Sequence, residues 1–271
     1  MITNRFIVAR GLVVAACVVL QLVTPRQAQA EESLPALSRK IFAHYKDSVV
    51  KVTGVATVRL TAANRPGLNL PEREDKVRAD GTIVDASGLT VLSLSAIDPS
   101  RMVDGREANT PGGAIKVEAS ATIKELEIIL GDGTEIPATL VFKDTELDLA
   151  FVRPKADAPE ANGVVFVPVN LAAGGRAEVA DYTVTVARLD ELFNYDPALT
   201  PGQIWAVVER PRPFYLGGGI VRGCPMFLLD GKLLGIGIMK LSKTRGQSQA
   251  IVPAAEVAKL IPQIPTDTGE K

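Results

Sequence analysis

Short runs of alternating apolar and polar residues, separated by Gly, Asp and Asn, dominate the chain from about residue 48 onwards. Alternation with a period of two places every second side chain on one face, which is typical of half-buried β-strands. The runs predict strands within residues 48–58, 82–94, 121–130, 136–142, 147–154, 164–169, 177–189, 203–210, 224–239 and 248–254. This pattern predicts an all-β protein.

Helical spacing appears only at the two ends of this strand-rich region. Residues 31–47 repeat apolar side chains every three or four positions, which predicts an N-terminal helix that carries His44. Pro253 begins a second helical pattern that ends at Pro262, and proline suits the first turn of a helix. We expect the remaining residues, 263–271, to be a disordered tail.

Polar segments between the strands are candidates for exposed loops. Residues 62–78 are rich in charge and proline, and residues 99–113 end in Pro-Gly-Gly, so both predict loops on the surface of a rigid scaffold. The connection over residues 189–201 carries Phe193 and Tyr195, which are candidates for the edge of a peptide groove. In contrast, we expect Trp205 to lie in the core, because it falls within a predicted strand.

The first thirty residues have the pattern of an export signal peptide. Arg5 and Arg10 precede an apolar stretch over residues 11–23, and Ala28-Gln29-Ala30 is the small-x-small pattern that signal peptidase recognises. We therefore expect a mature chain that begins at Glu31 and is periplasmic or extracellular in a bacterium. Lipidation of Cys17 and retention of the leader as an anchor stay open, and they are the only membrane attachments we expect.

Composition narrows the partners and cofactors. Without the three arginines of the leader the chain has 27 basic and 31 acidic residues, whereas nucleic-acid-binding proteins carry a clustered basic face. Cys224 is then the one cysteine left, so we expect no intramolecular disulfide. The glycine run 217–219 leads into a strand rather than a helix, which argues against a phosphate site. We expect no cofactor and no metal; the oligomeric state stays open.

Four segments, in this order, resemble the Deg/HtrA group of trypsin-like serine peptidases. The family pattern GSGFIIDxxGYILTNNHVV is similar to ADGTIVDASGLTVLSLSAI (79–97), and a hairpin that ends in DLAVLK is similar to LGDGTEIPATLVFKDTELDLAFVRP (130–154). The nucleophile strand GNSGGPLxxxxGxVVGI is similar to IVRGCPMFLLDGKLLGI (220–236), and FAIPxxxVxxxI is similar to QAIVPAAEVAKLI (249–261).

This resemblance implies a trypsin-like double β-barrel with short N-terminal and C-terminal helices. The first barrel is expected over residues 48–154, and the second barrel with the C-terminal helix over residues 155–262. A trypsin-like peptidase places its active site between two such barrels, so the cleft between them is the expected site for a ligand.

The resemblance also implies that the catalytic triad is degenerate. The family's histidine falls on Ser95, its aspartate on Asp148 and its serine on Arg222, and the single histidine, His44, precedes the first strand. Loss of the nucleophile or the base costs a serine peptidase on the order of 10⁶ in turnover. We therefore expect an inactive homologue that binds an extended peptide or an envelope protein in the cleft between the barrels.

Several residues near the aligned triad are candidates for the site. Gly219, Gly223 and Cys224 are the candidates for the cleft, and Arg222 is predicted to pair with the surviving carboxylate of Asp148. An active hydrolase with Cys224 as nucleophile is the alternative, but a reactive thiol needs a nearby base. Cys224 is otherwise expected to be a small buried residue.

Ser95 is the second nucleophile that this alternative allows. Some hydrolases pair a serine with a lysine base. No lysine lies close to Ser95 in the sequence. We therefore expect Ser95 to fill the histidine position as a neutral residue.

Overall fold

The computed structural model describes residues 33–65, 70–110, 113–241 and 246–265. The predicted signal peptide and residues 266–271 of the predicted tail lie outside the described residues. Within them, the helices are α1 (Leu34–Tyr45), α2 (Leu94–Ile97) and α3 (Ala254–Ala258). The strands are β1 (Val49–Ala62), β2 (Arg73–Ile83), β3 (Thr90–Ser93), β4 (Glu107–Thr110), β5 (Gly113–Ile129), β6 (Glu135–Asp144), β7 (Leu149–Pro154), β8 (Tyr182–Arg188), β9 (Pro197–Val208), β10 (Phe214–Gly217), β11 (Pro225–Leu228), β12 (Leu233–Leu241) and β13 (Gln247–Pro253).

The strands form two closed antiparallel barrels. The first barrel has the order β1, β2, β3, β7, β6, β5 and closes by pairing of β5 with β1, while β4 extends it as a hairpin with β5. The second barrel has the order β10, β13, β12, β11, β8, β9 and closes between β9 and β10. Closure pairs the strand edges within each barrel. The prediction of an all-β, double-barrel architecture is confirmed.

The largest apolar cluster lies between the barrels rather than inside either of them. It combines side chains from both barrels with residues of α1 and α3, and it includes Phe151 and Phe227, which are fully buried. Two separate clusters fill the barrel interiors, one around Val52 and Ile128 and one around Ile204 and Leu234. This cluster buries apolar side chains of both barrels together, which stabilises the pair of barrels as one unit.

Helix α1 forms as its spacing predicts and packs against the second barrel. Pro35 lies in its first turn, where the missing N–H has no intrahelical partner to lose. Ile41 is buried on its inner face, and the ring of Tyr45 stacks on Phe227 at a centroid distance of 4.2 Å. His44 points to the exposed side of the helix and contacts the ring of Tyr45 edge-on.

The two predicted loops of the first barrel are shorter than the sequence pattern indicates. β1 continues to Ala62 and β2 begins at Arg73, and β4 occupies residues 107–110 within the second predicted loop. Many side chains of these strand segments are charged and exposed, while Ala62 and Val77 are buried. Polarity alone therefore failed to separate strand from loop here.

The segment 164–169, predicted as a strand, is instead part of the connection between the barrels. Val165 and Val167 are exposed, whereas Val169 is buried and its N–H donates to the carbonyl of Ile83 at 2.9 Å. Val164 and Phe166 are half-buried and pack on the apolar cluster of the first barrel, so they anchor the connection together with Val169. The prediction was wrong because the same alternation suits an extended linker.

The chain stays ordered a little beyond the predicted C-terminal helix. Helix α3 is followed by a 3₁₀ turn over Ile261–Gln263, Ile264 is buried, and Arg153 Nη1 donates to the carbonyl of Pro265 at 2.7 Å. Disorder was therefore wrongly predicted for residues 263–265, because Ile264 contributes to the core between the barrels. Among the described helices, none combines the length and apolar character needed to cross a membrane.

Candidate functional site

Ser95 and Asp148, which the family alignment places at the histidine and aspartate positions, lie in direct contact. Ser95 is on α2, directly after β3, and Asp148 is in the turn before β7. The Ser95 N–H donates to Asp148 Oδ1 at 2.9 Å, and the Ser95 hydroxyl donates to Oδ2 at 3.0 Å. Asp148 has a φ of 57°, a left-handed conformation that aspartate tolerates better than most residues.

The carboxylate of Asp148 is only 1% exposed and is surrounded by donors from both barrels. Besides Ser95, the Ser93 hydroxyl donates to Oδ2 at 2.5 Å and the Met239 N–H, from β12 of the second barrel, donates to the same oxygen at 3.1 Å. Burial of a carboxylate is tolerated only when such hydrogen bonds replace water. Asp148 therefore connects the first barrel to the second through a fully enclosed hydrogen-bond network.

The cation beside Asp148 is Arg101, and the predicted pairing with Arg222 was wrong. Arg101 Nε lies 3.5 Å from Asp148 Oδ1, and its Nη2 donates to the Thr145 carbonyl at 2.8 Å. Arg101 reaches the carboxylate because the 3₁₀ turn Pro99–Met102 follows α2 almost directly. The half-buried Arg222 makes no hydrogen bond or ion pair with any described residue. The polar segment after α2 was the part of the sequence from which Arg101 could have been found.

Gly223, a predicted cleft residue, lies in a turn that joins the two barrels. Its φ is 81°, its N–H donates to the Gly237 carbonyl at 2.7 Å, and its carbonyl accepts from the Thr82 hydroxyl at 2.7 Å. A Cβ at this position would overlap the carbonyl oxygen of Asp80 on β2. Only glycine combines this conformation with so close an approach of two backbones.

Cys224 and Gly219, the other predicted cleft residues, have different environments. Cys224 has no exposed surface, and burial raises the pKa of its thiol well above the usual range. The thiol is therefore neutral, whereas a cysteine nucleophile requires the thiolate. Gly219 is half-buried with a φ of 71°, and a Cβ there would meet the backbone of Pro201 and Gly202.

One edge of β12 continues past its partner strand next to this network. β11 pairs with β12 only as far as Ile236, while β12 continues to Leu241. On this edge Gly237 bonds to the turn that contains Cys224, and the next residue facing the same way, Met239, donates to Asp148. Because alternate residues of a strand direct their backbone groups to the same side, Leu241 directs its N–H and carbonyl to this edge too.

Among the described contacts of Ser95 there is no imidazole or amine that could serve as its general base. His44, the single histidine of the chain, is exposed on α1, and the described contacts of the Ser95 hydroxyl are to Ser93 and Asp148. Among all the residues that the structure describes, there is no cluster of three or more His, Cys, Asp or Glu side chains that could hold a metal ion.

Trp205 of the second barrel is more exposed than the sequence pattern predicted. Trp205 lies on β9, as predicted, but it is 63% exposed, so its assignment to the core was wrong. It alternates with Ile204, which is buried inside the barrel, and therefore faces outward. Phe193 is also exposed, in the hairpin between β8 and β9.

A second buried charged pair, which the sequence analysis missed, joins β1 and β2. Lys51 and Asp80 are opposite each other in the strand register, and their side-chain charges are 2.9 Å apart. Burial raises the pKa of Asp80, and the charge of Lys51 opposes this shift. Asp190 of the second barrel lies 3.6 Å from Lys51. The wide spacing of the two partners along the chain conceals this pair in the sequence.

Comparison with known proteins supports the fold. No protein-family model matches the chain, and no curated protein matches it in sequence. Among solved structures it is similar to the crystal structure of the MamO protease domain from Magnetospirillum magneticum in its apo form, with a TM-score of 0.51 and 16% identity over 81% of this chain and 98% of that chain. At this identity the likeness shows the fold alone. With its two closed six-stranded barrels, the chain has a trypsin-like, protease-like double β-barrel fold.

Proposed function

We propose that this chain is an exported, catalytically inactive homologue of the Deg/HtrA serine peptidases that binds an extended peptide between its two barrels. The observation that carries the proposal is the contact of Ser95 with Asp148. Asp148 accepts hydrogen bonds from the backbone N–H and the side chain of Ser95. In a Ser/His/Asp triad, the aspartate uses its hydrogen bonds to orient the imidazole of the histidine. A serine hydroxyl cannot serve as the general base that such a machine needs.

The aligned nucleophile position supports the same conclusion. Arg222 has no hydroxyl or thiol to attack a carbonyl, and the neighbouring thiol of Cys224 is buried and neutral. Loss of the base and the nucleophile together leaves at best the small residual catalysis of an oxyanion hole. For the alternative, a hydrolase with Ser95 or Cys224 as nucleophile, Ser95 contacts no imidazole or amine base and the Cys224 thiol has no exposed surface.

The free edge of β12 is the place where we propose that a peptide binds. Beyond Met239 this edge has no partner strand among the described residues, and Leu241 directs its backbone donor and acceptor to it. A peptide in extended conformation satisfies such groups by adding as an antiparallel strand. Arg222 lies in the neighbouring turn, three residues after Gly219, and it is half-buried. Its guanidinium has no partner among the described residues, so it favours a peptide with an acidic side chain.

Catalytic inactivity is tested by activity-based labelling of the purified protein. We expect no labelling by a fluorophosphonate probe, no casein turnover, and slow alkylation of Cys224 by iodoacetamide. An active trypsin-like peptidase, labelled in parallel, is the positive control. Rapid labelling of Ser95 or Cys224 together with cleavage would contradict the proposal.

Peptide binding is tested with a library of extended peptides and two variants of one residue. We expect micromolar binding that Leu241→Pro weakens about tenfold, because proline removes the N–H directed at the peptide. Leu241→Ala shortens the side chain but keeps this N–H, and it is the matched control. Equal loss in both variants, measured by calorimetry, would assign the effect to the side chain and contradict strand addition.

Export is the remaining part of the proposal. It rests on the basic, apolar and small-residue pattern of residues 1–30. We expect the protein in the periplasmic or extracellular fraction of a bacterial host with Glu31 at its N-terminus. Mass spectrometry of the isolated protein distinguishes this product from a chain lipidated on Cys17 or one that keeps its leader.

A further inference from the structure

A cavity of about 410 Å³ lies where the end of the N-terminal helix, both barrels and the linker between them meet. Its wall includes Lys46 at the end of α1, Leu130 and Gly131 in the β5–β6 turn, Val165 and Phe166 of the linker, and Arg188 at the end of β8. This volume is in the range of sites that bind small molecules. Ser95, Asp148 and Arg222 of the cleft do not line this cavity.

The most buried charge of the cavity wall is Arg188, and the wall also includes Lys46 and the carboxylates of Asp47 and Asp132. The side chain of Arg188 is 3% exposed, and its guanidinium donates to the backbone carbonyls of Val49, Tyr195 and Lys46. A guanidinium has five N–H donors, so two remain after these three bonds. The closest described carboxylate, Asp47, is 3.7 Å away and is itself mostly exposed to water.

Lys46 adds a second positive charge to the same wall. Its half-buried ammonium makes no ion pair or hydrogen bond with any described residue. Asp132 also lines the cavity, but its carboxylate is exposed and accepts a hydrogen bond from the Thr134 N–H at 2.9 Å. Arg188 is therefore the least exposed charge of the wall, and its two remaining N–H donors, together with the ammonium of Lys46, suit an anion.

Apolar side chains form another part of the wall. Leu130, Phe166 and the 86% exposed Val165 form its apolar part. Gly131 lies so close to the guanidinium that a Cβ would come within 2.5 Å of Arg188 Nη2, so the lack of a side chain there makes room for Arg188.

From this combination we propose that the cavity binds a carboxylate group attached to a compact apolar body, with the carboxylate accepting hydrogen bonds from Arg188 and Lys46. The apolar body would contact Val165 and Phe166. Such a group is supplied either by the C-terminal residue of a peptide with an apolar side chain or by a free aliphatic carboxylic acid.

The test uses the full chain and pairs each carboxylate with its neutral amide. The probes are N-acetyl-leucine and N-acetyl-leucinamide, a leucine-terminated pentapeptide with a free or an amidated end, and octanoate. We expect at least one carboxylate to shift the ¹⁵N resonance of Arg188 Nε and to raise the melting temperature. Its amide should bind about tenfold or more weakly. Binding of the pentapeptide but not octanoate assigns the site to chain ends, and the reverse assigns it to free acids.

Two surface variants locate the binding without removing the buried arginine. Val165→Glu and Lys46→Glu place a carboxylate at the cavity and should weaken binding about tenfold through repulsion. Val179→Glu is the matched control, because Val179 is also an exposed valine but does not line the cavity. Equal binding of acid and amide, no binding of any carboxylate, or unchanged affinity in Val165→Glu would overturn the proposal.

Discussion

At the scale of single residues, small polar side chains and backbone N–H groups satisfy the buried carboxylate of Asp148. Ser93, Ser95 and the Met239 N–H supply the hydrogen bonds that Asp148 needs, and Arg101 supplies a nearby positive charge. The resemblance to the Deg/HtrA group singled out Ser95 and Asp148, and the two residues are in contact. The resemblance did not indicate Arg101, because its contact with Asp148 depends on the conformation of the 3₁₀ turn Pro99–Met102.

Gly223 gives the sharpest prediction at this scale. Gly223→Ala adds a Cβ that would overlap the Asp80 carbonyl, and it also forces alanine into a left-handed conformation. We expect a loss of about 3 kcal/mol or more in the free energy of unfolding, measured by urea denaturation.

Gly231→Ala is the matched control for this substitution. Gly231 has a φ of 82°, close to the 81° of Gly223, but a Cβ added there would meet no atom within 4 Å. We expect only the conformational cost at this position, about 1 kcal/mol. Equal losses in the two variants would mean that the close approach to Asp80 is relieved by movement of the turn.

At the scale of secondary structure, alternation predicted the position of most strands but not the exposure of their faces. In β9 the buried residue is Ile204 and the exposed one is Trp205, because the interior of a six-stranded barrel is narrow. Alternation also failed in the linker around Val165, where no ladder forms. Periodicity reports which residues share a face, while the closure of the barrel decides which face is inside.

The two neighbouring residues of β9 test this assignment. Ile204→Ala should lower the free energy of unfolding by about 2–5 kcal/mol, because it leaves a cavity inside the second barrel. Trp205→Ala should change it by less than about 1 kcal/mol, because most of the ring is exposed. Chemical denaturation measures both. A larger loss for Trp205→Ala would show that the indole is covered in solution.

The buried pair that joins β1 and β2 makes stability depend on pH. Because burial raises the pKa of Asp80, the native state binds this proton more tightly than the unfolded state. The stabilisation is complete below the usual aspartate pKa of 3.8 and is lost as the pH rises through the raised value. Relative to Asp80→Asn, the wild-type free energy of unfolding should therefore fall as the pH rises from about 3.5.

Asp132 provides a control of opposite sign. The Thr134 N–H lowers the pKa of its carboxyl, so it stabilises the native state above the usual pKa and loses this contribution as the pH falls through the lowered value. Asp132→Asn should remove a rise in stability with pH, whereas Asp80→Asn should remove a fall. Urea titrations over a series of pH values distinguish the two, and parallel curves would contradict the assigned direction for Asp80.

At the scale of the whole molecule, the apolar cluster between the barrels makes them one cooperative unit. Cys224 belongs to that cluster and has no exposed surface, so its thiol becomes accessible only when the barrels open or unfold. We expect alkylation of Cys224 in the native protein to be at least about 10³-fold slower than in urea, followed by mass spectrometry of its peptide. A native rate close to the unfolded rate would show that the interface opens readily.

The linker between the barrels has a further consequence for how the molecule can be divided. Gly163 is exposed, and a side chain added there would meet no atom within 4 Å. The contacts that join the halves, including the hydrogen bonds from Arg188 to the carbonyls of Val49 and Lys46, do not depend on a peptide bond at that point. Two separate polypeptides ending at Asn162 and beginning at Gly163 should therefore assemble when produced together, so the protein offers a natural pair of fragments for a split reporter.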